Sequence, residues 1–285
     1  MRSRIVFAAI LVVLVGVEIV RADGVIEINQ SCVPVGCFAG DDPGFPVEIN
    51  ASGSYRLTSN LVVSDESDGI FVESGRPTID FNGFELRGPV TCFASLTTDD
   101  PVLLDSVNCS GSGGLGIGAF AGRGYQVRNG TVAGFDNGLN TPTGSVVENM
   151  TVRENSSNGI NALRETVRIH KSTISTNGND GIAGGAVETR LLVTESIIRA
   201  NNETGIYLAN GIVRNSLFTL NGDDAVRSRV AGAGGLVADC HFSQNIEAID
   251  GFSKLGVRDS VFLGNSSDVN GATSLGGNLC DGVSC

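Results

Sequence analysis

The residues best suited to chemistry are acids gathered around one arginine. The run Gly222-Asp223-Asp224-Ala225-Val226-Arg227 sets two adjacent carboxylates just ahead of a guanidinium, and Asp250 follows further along the chain. Two carboxylates can divide general acid and base work between them when one is kept protonated. Carboxylates can equally surround a hard cation, and Asp180, Glu203, Asp223, Asp224 and Glu247 are the candidate Ca²⁺ ligands. Acids of this kind also simply solvate exposed turns. Other chemistries have less behind them. Cys240 has no histidine in its place in the repeat that could make it a nucleophile. Zinc is disfavoured by the absence of any Cys-x-x-Cys pair and by a total of two histidines, His170 and His241.

These acids belong to a repeat. With Asn129 as position zero, the frame returns at Asn149, Lys171, Glu195, Asn215, Asp239 and Asp259, at spacings of 20, 22, 24, 20, 24 and 20 residues. Two before zero stand Val127, Val147, Ile169, Val193, Val213, Val237 and Val257. Three after zero stand Val132, Val152, Ile174, Ile198, Phe218, Phe242 and Phe262. Six after zero comes an asparagine in six consecutive units: Asn155, Asn177, Asn201, Asn221, Asn245 and Asn265. Ten or eleven after zero, usually behind Gly or Ala, lie Leu139, Ile160, Ile182, Ile206, Val226, Ile249 and Val269.

A period near 22 with three short, β-branched clusters per unit fits a coil of three strands and three turns. The clusters are too short for helices. Stacking such coils at about 4.8 Å pairs each strand with the coil above and below. Asn and Asp tolerate a left-handed backbone, so the zero position reads as a sharp bend. The next column, Gly130, Met150, Ser172, Ser196, Ser216, Cys240 and Ser260, points inward by strand alternation, where hydroxyls can bond to the turn backbone. The asparagines stack as an amide ladder. Earlier in the chain, residues 78–87 match the frame with Phe81 and Leu86 as the inward pair around Gly83.

The frame resembles the right-handed parallel β-helix repeat of the pectin-lyase-like superfamily, asparagine ladder included, over about residues 45–270. The resemblance implies an all-β protein with one right-handed parallel β-helix. It also implies that a glycan lies along the outer face of the Gly-Ile strand, with acids in the turns before it. That face carries Asn140, Asn161, Ala183, Tyr207, Arg227, Asp250 and Asn270, bordered by the acids named above and Asp268. Gly222-Asp223-Asp224-Ala225-Val226 is similar to the paired-Asp motif of polygalacturonases. The preceding coil departs from that family with Asn201-Asn202-Glu203 in place of Asn-x-Asp, and no Gly-His-Gly or Arg-x-Lys follows. Thr131, Thr151 and Thr173 also stack outward, but Ile197, Leu217, His241 and Val261 replace threonine thereafter, which removes an ice-binding array.

Residues 1–22 read as a signal peptide, with Arg2 and Arg4, the apolar run Ile5–Val17 and Val20-Arg21-Ala22 as the cleavage site. Cleavage leaves 16 basic against 30 acidic residues, which disfavours nucleic acid and anionic membranes as partners. No later segment is apolar enough to span a bilayer. The mature chain, 23–285, reads as one domain with an N-terminal cap at 23–63, an inserted loop at 88–116 and a C-terminal cap at 271–285. Cysteine spacing suggests local bridges Cys32–Cys37, Cys92–Cys109 and Cys280–Cys285, leaving Cys240 as a buried thiol, in an oxidising extracellular or periplasmic setting. A monomer without an obligatory cofactor is expected, Ca²⁺ being the one candidate ion. The expected role is binding of a polysaccharide or cell-surface partner. A polysaccharide lyase or glycoside hydrolase is the alternative, and a purely structural solenoid the second.

Overall fold

A computed structural model describes residues 24–98, 102–120, 124–163, 166–184, 188–228, 234–251 and 254–285. The proposed leader and Asp99 and Asp100 of the insertion lie outside them. Among the described residues there is no α-helix, only strands and one 3-10 turn at Val33–Val35. No helix there is long and apolar enough to cross a membrane.

Each coil is bent where the frame places its zero. All seven zero residues have a left-handed backbone, with φ from 49° at Lys171 to 62° at Asn129. The bend splits the chain into two short arms, such as Arg190–Thr194 and Ile197–Arg199, and the third strand, Ile206–Leu208, completes the coil. Coils pair in parallel and in register. Val193 faces Val213 and Ile198 faces Phe218 in the first two arms. The third strands build a ten-stranded parallel sheet in which Leu139, Ile160, Ile182, Ile206, Val226, Ile249 and Val269 form one continuous inward column. The expected parallel β-solenoid is borne out.

The interior follows from that register. Every residue at minus two and plus three is 0–1% exposed. Burying an aliphatic or phenyl side chain contributes roughly 1.5–3 kcal/mol, and here each does so against its own counterpart in the next coil. Phe218, Phe242 and Phe262 stack with ring centroids 4.9 Å apart and planes tilted by 12° and 6°. The asparagine ladder runs unbroken from Asn155 to Asn265, each amide nitrogen donating to the next Oδ1 at 2.8, 2.8, 3.0, 3.0 and 3.1 Å. Each Oδ1 also accepts the backbone N–H of the preceding ladder residue. The ladder explains the glycines that open the third strand. A Cβ on Gly159 would stand 2.7 Å from the Asn177 amide nitrogen.

A second ladder runs beside the first. Ser172, Ser196, Ser216 and Ser260 donate to the carbonyl two residues back and accept a backbone N–H from the coil before. Asn278 ends it by accepting from the Ser260 N–H at 3.1 Å. Cys240 replaces one serine, and burial pushes its thiol up to about 12, so it remains protonated and inert.

Outside the seven regular units the structure adds detail. Within residues 23–63, Ile26–Ile28, Val47–Ile49, Ser54–Leu57 and Leu61–Val62 pair with the following coils. Around Asn82 the inward partner of Val127 is Ile79, while buried Phe81 fills the space that keeps position 130 a glycine. Two left-handed residues, Asn82 and Gly83, lie in this bend, which is two residues longer than the one it stacks on, since Ile79 and Leu86 face Val127 and Val132. Residues 271–285 begin a further coil, with Thr273–Ser274 and Leu279–Cys280 in parallel register, before Val283–Ser284 folds back antiparallel. The three disulfides form as paired above, and Cys240 is free.

Candidate functional site

The outward column of the third strand is assembled as the frame implies. Asn140, Asn161, Ala183, Tyr207, Arg227, Asp250 and Asn270 lie opposite one another, coil after coil. Asn140, Asn161, Tyr207 and Arg227 are half-buried, Asn270 is exposed and Asp250 is 7% exposed. Strand pairing fixes these neighbours at about 4.8 Å, a spacing at which side chains meet directly.

Four residues make a two-by-two tile on this face. Asp224 faces Glu247 and Arg227 faces Asp250 across one coil boundary. Arg227 bonds to both Asp223 and Asp224, using Nη2 for the first and Nε for the second. Carboxylate oxygens of Asp224, Glu247 and Asp250 lie within 4.8 Å of one another. Asp224 is sealed from solvent, and its Oδ1 has no hydrogen-bond partner among the described residues. Burial pushes its carboxyl up to about 7; Asp223 and Asp250 add to the rise, and Arg227 opposes it. Burial dominates because only one of its oxygens is compensated.

The remaining acids stand apart. Asp180, one of the cation candidates, is raised to about 6, chiefly by burial, although it accepts the Thr204 N–H at 3.1 Å. Asp180, exposed Glu203 and half-buried Asp223 join no group of three carboxylates. Among the described residues, only the Asp224–Glu247–Asp250 set offers the clustered hard oxygens that Ca²⁺ prefers. Arg227 already occupies one oxygen of Asp224, so a cation there competes with a fixed positive charge. Carboxylates that converge this closely are also the kind of pair that glycosidases use. Both Asp224 and Asp250 are nevertheless screened, and a sugar reaches Asp224 only if Arg227 swings away.

The described part of the 88–116 insertion contains two antiparallel strands. Thr91–Leu96 pairs antiparallel with Leu104–Ser110, and the Cys92–Cys109 disulfide ties the two strands. Val90, Cys92, Leu104 and Val107 form a small core of their own against Ala200. The hairpin lies lengthwise over the position seven past zero in three successive coils. There a Cβ on Gly178 would be 3.2 Å from Cys109 Sγ, Asn202 Oδ1 accepts the Val107 N–H at 2.7 Å, and a Cβ on Gly222 would be 3.2 Å from Leu104. It therefore flanks the candidate face, with Leu104 against Gly222.

The sequence profile of the right-handed β-helix region matches residues 137–279, half of the chain. The chain belongs to the right-handed β-helix family. No curated protein matches it in sequence. Among solved structures it is similar to the Agl-KA catalytic domain (15% identity, 81% of this chain, TM-score 0.43), spanning 50% of that domain's length. It is similar to an alginate lyase from Paenibacillus sp. str. FPU-7 (13% identity, 92% of this chain and 99% of that one, TM-score 0.44). The A-module of the mannuronan C-5 epimerase AlgE6 of Azotobacter vinelandii shows 12% identity over 87% of this chain and 88% of its own, with a TM-score of 0.31. Likenesses this distant transfer no activity to the β-helix described here.

The outward column of this β-helix also begins earlier than the regular repeat. Glu48, Phe71 and Gly118 precede Asn140 in the same sheet, because Phe71 faces Glu48 on one side and Gly118 on the other. Sequence spacing hides them, since the hairpin separates Leu86 from Ile117 and breaks the count. One signal was available for the hairpin's resting place: small residues at 178 and 222 in a turn column otherwise filled by larger side chains.

Proposed function

We propose that this β-helix is an exported protein that binds a polysaccharide or surface glycan along the outer face of its third strand. The reading rests on one observation, the in-register outward column of amides, Tyr207 and Arg227 beside a hairpin wall. A regular column spaced like a strand stack suits an extended polymer. Tyr207 can pack against a sugar ring, the amides of Asn140 and Asn161 can bond hydroxyls, and Arg227 with Asp250 and Asn270 continues the track. Binding is favoured over turnover because the buried carboxylates face Arg227 and not open solvent. Export is supported by three disulfides, which persist in oxidising compartments.

A glycan-cleaving activity is the second reading, favoured by the convergence of Asp224 and Asp250 and the raised pKa of Asp224. A screen of neutral and acidic polysaccharides, with and without Ca²⁺, separates the two when retention and cleavage are scored independently. The expected result is retention without cleavage, lost in a Tyr207→Ala, Arg227→Ala double variant. Cleavage that disappears in Asp224→Asn promotes the enzyme. Retention unchanged in the double variant excludes this face, and absence of any retention leaves a structural solenoid.

A further inference from the structure

Two aromatic rings at the N-terminal end of the outward column have no role in the core. Phe71 and Phe120 meet edge to face, with centroids 4.9 Å apart and planes at 86°. Neither packs against the central hydrophobic cluster, unlike Phe38, Phe45 and Phe84. Phe120 is 56% exposed. Phe71 lies across Gly118, where a Cβ would stand 2.8 Å from its Cδ2 and 3.2 Å from its Cε2. Position 118 thus has to be bare for the ring to lie against the sheet, and the pair forms a right-angled aromatic corner. Its place is not arbitrary: Phe71 belongs to the very column that holds Tyr207, five strand steps or about 24 Å away.

Charge narrows the ligand. The strand neighbour of Phe71 is Glu48, which sets a carboxylate beside the aromatic corner. At the other end Arg227, the one basic side chain of the column among the described residues, is already bonded to Asp223 and Asp224. A polyanion would meet the Glu48 carboxylate at one end and, at the other, an arginine whose charge is already shared by two aspartates, whereas an uncharged sugar presents its C–H face to the rings and its hydroxyls to the amides between them. Building on the binding reading above, we infer that Phe71 and Phe120 form a second aromatic subsite and that the ligand is a neutral polysaccharide spanning from it to Tyr207.

Titration calorimetry in EDTA tests this with cello-, xylo- and manno-oligosaccharides of graded length, and with polygalacturonate as the anionic counterpart. Phe71→Leu keeps an apolar cover over Gly118 but removes the ring, and circular dichroism with a melting curve confirms that the fold is retained. Long neutral oligosaccharides should bind roughly tenfold more weakly to Phe71→Leu. Short ones held at Tyr207 should be unaffected, and polygalacturonate should bind the wild type more weakly than the neutral chains. Equal affinity of Phe71→Leu and wild type at every length overturns the second subsite. If Tyr207→Ala still weakens binding in that case, the general glycan reading survives without it. Polygalacturonate binding as tightly as neutral chains in EDTA overturns the ligand class, and a wild type that binds no oligosaccharide overturns both readings.

Discussion

The inner and outer columns of the same coils obey opposite rules. Inside, Asn155, Asn177, Asn201, Asn221 and Asn245 repeat one residue at zero exposure, each amide bonded to the next. Outside, only a few residues further along each coil, the column changes at almost every step, from Asn161 to Ala183, Tyr207, Arg227 and Asp250. An inner side chain meets its own copy above and below, so any change leaves a buried donor or acceptor without a partner. An outer side chain meets solvent, and the fold places no such demand on it. Variation on the outer face is therefore room for function, while uniformity inside is the price of the stack.

The sharpest way to break this contrast is to make the same substitution in both columns. Asn201→Ala removes the acceptor of the Asn177 amide and a donor to Asn221 Oδ1, in a site with no water access. It should cost about 3 kcal/mol or more in urea unfolding. Asn161→Ala, half-buried on the outer face, should stay within about 0.5 kcal/mol. Comparable losses at the two sites would show that the outer column is structural too.

The contrast also separates what could be read from sequence from what could not. The seven-unit frame, the inward columns, the left-handed zero residues and both ladders follow from periodicity, because the interior imposes the same neighbours on every coil. Asp224, Glu247 and Asp250 were individually visible as acids in outer turns. Their convergence was not, since it depends on which atoms of adjacent coils reach across a strand boundary. The hairpin was hidden for a similar reason: its partners, Gly178, Asn202 and Gly222, lie far from it in sequence. Phe71 and Gly118 were missed because the insertion interrupts the period before they can be aligned.

Acidity offers a second and smaller probe. Asp224 at about 7 and Asp180 at about 6 both titrate above the ordinary aspartate value of 3.8, chiefly through burial. The folded chain then holds protons that the unfolded chain releases, so stability falls as pH rises from about 4 through these folded values. Below about pH 4 both states are protonated and the effect vanishes. Urea midpoints in EDTA should decrease between about pH 5 and pH 8, and Asp224→Asn should flatten the decline. A midpoint that climbs over this range would mean that Arg227 outweighs burial and holds Asp224 ionised.

The smallest effect concerns a third kind of column, conserved in shape but not in residue type. Immediately before each ladder asparagine the backbone is left-handed again: Glu154, Thr176, Ala200, Leu220 and Gln244 have φ between 51° and 57°, and Gly134 and Gly264 take the same place in the first and last units. Local preference opposes this conformation in a β-branched residue, so Thr176 at φ 56° is held there by the two ladders on either side of it. Glycine adopts the conformation freely but loses more backbone entropy on folding. The relief of strain is the larger of the two at such a site, and Thr176→Gly should stabilise the chain by about 0.5–1 kcal/mol. Ser175→Gly, one residue earlier in an ordinary extended strand, should instead lose about that much. Opposite signs at adjacent positions, read as urea midpoints, are what the left-handed column requires, and a loss at both would mean that the threonine side chain supplies packing that outweighs its strain.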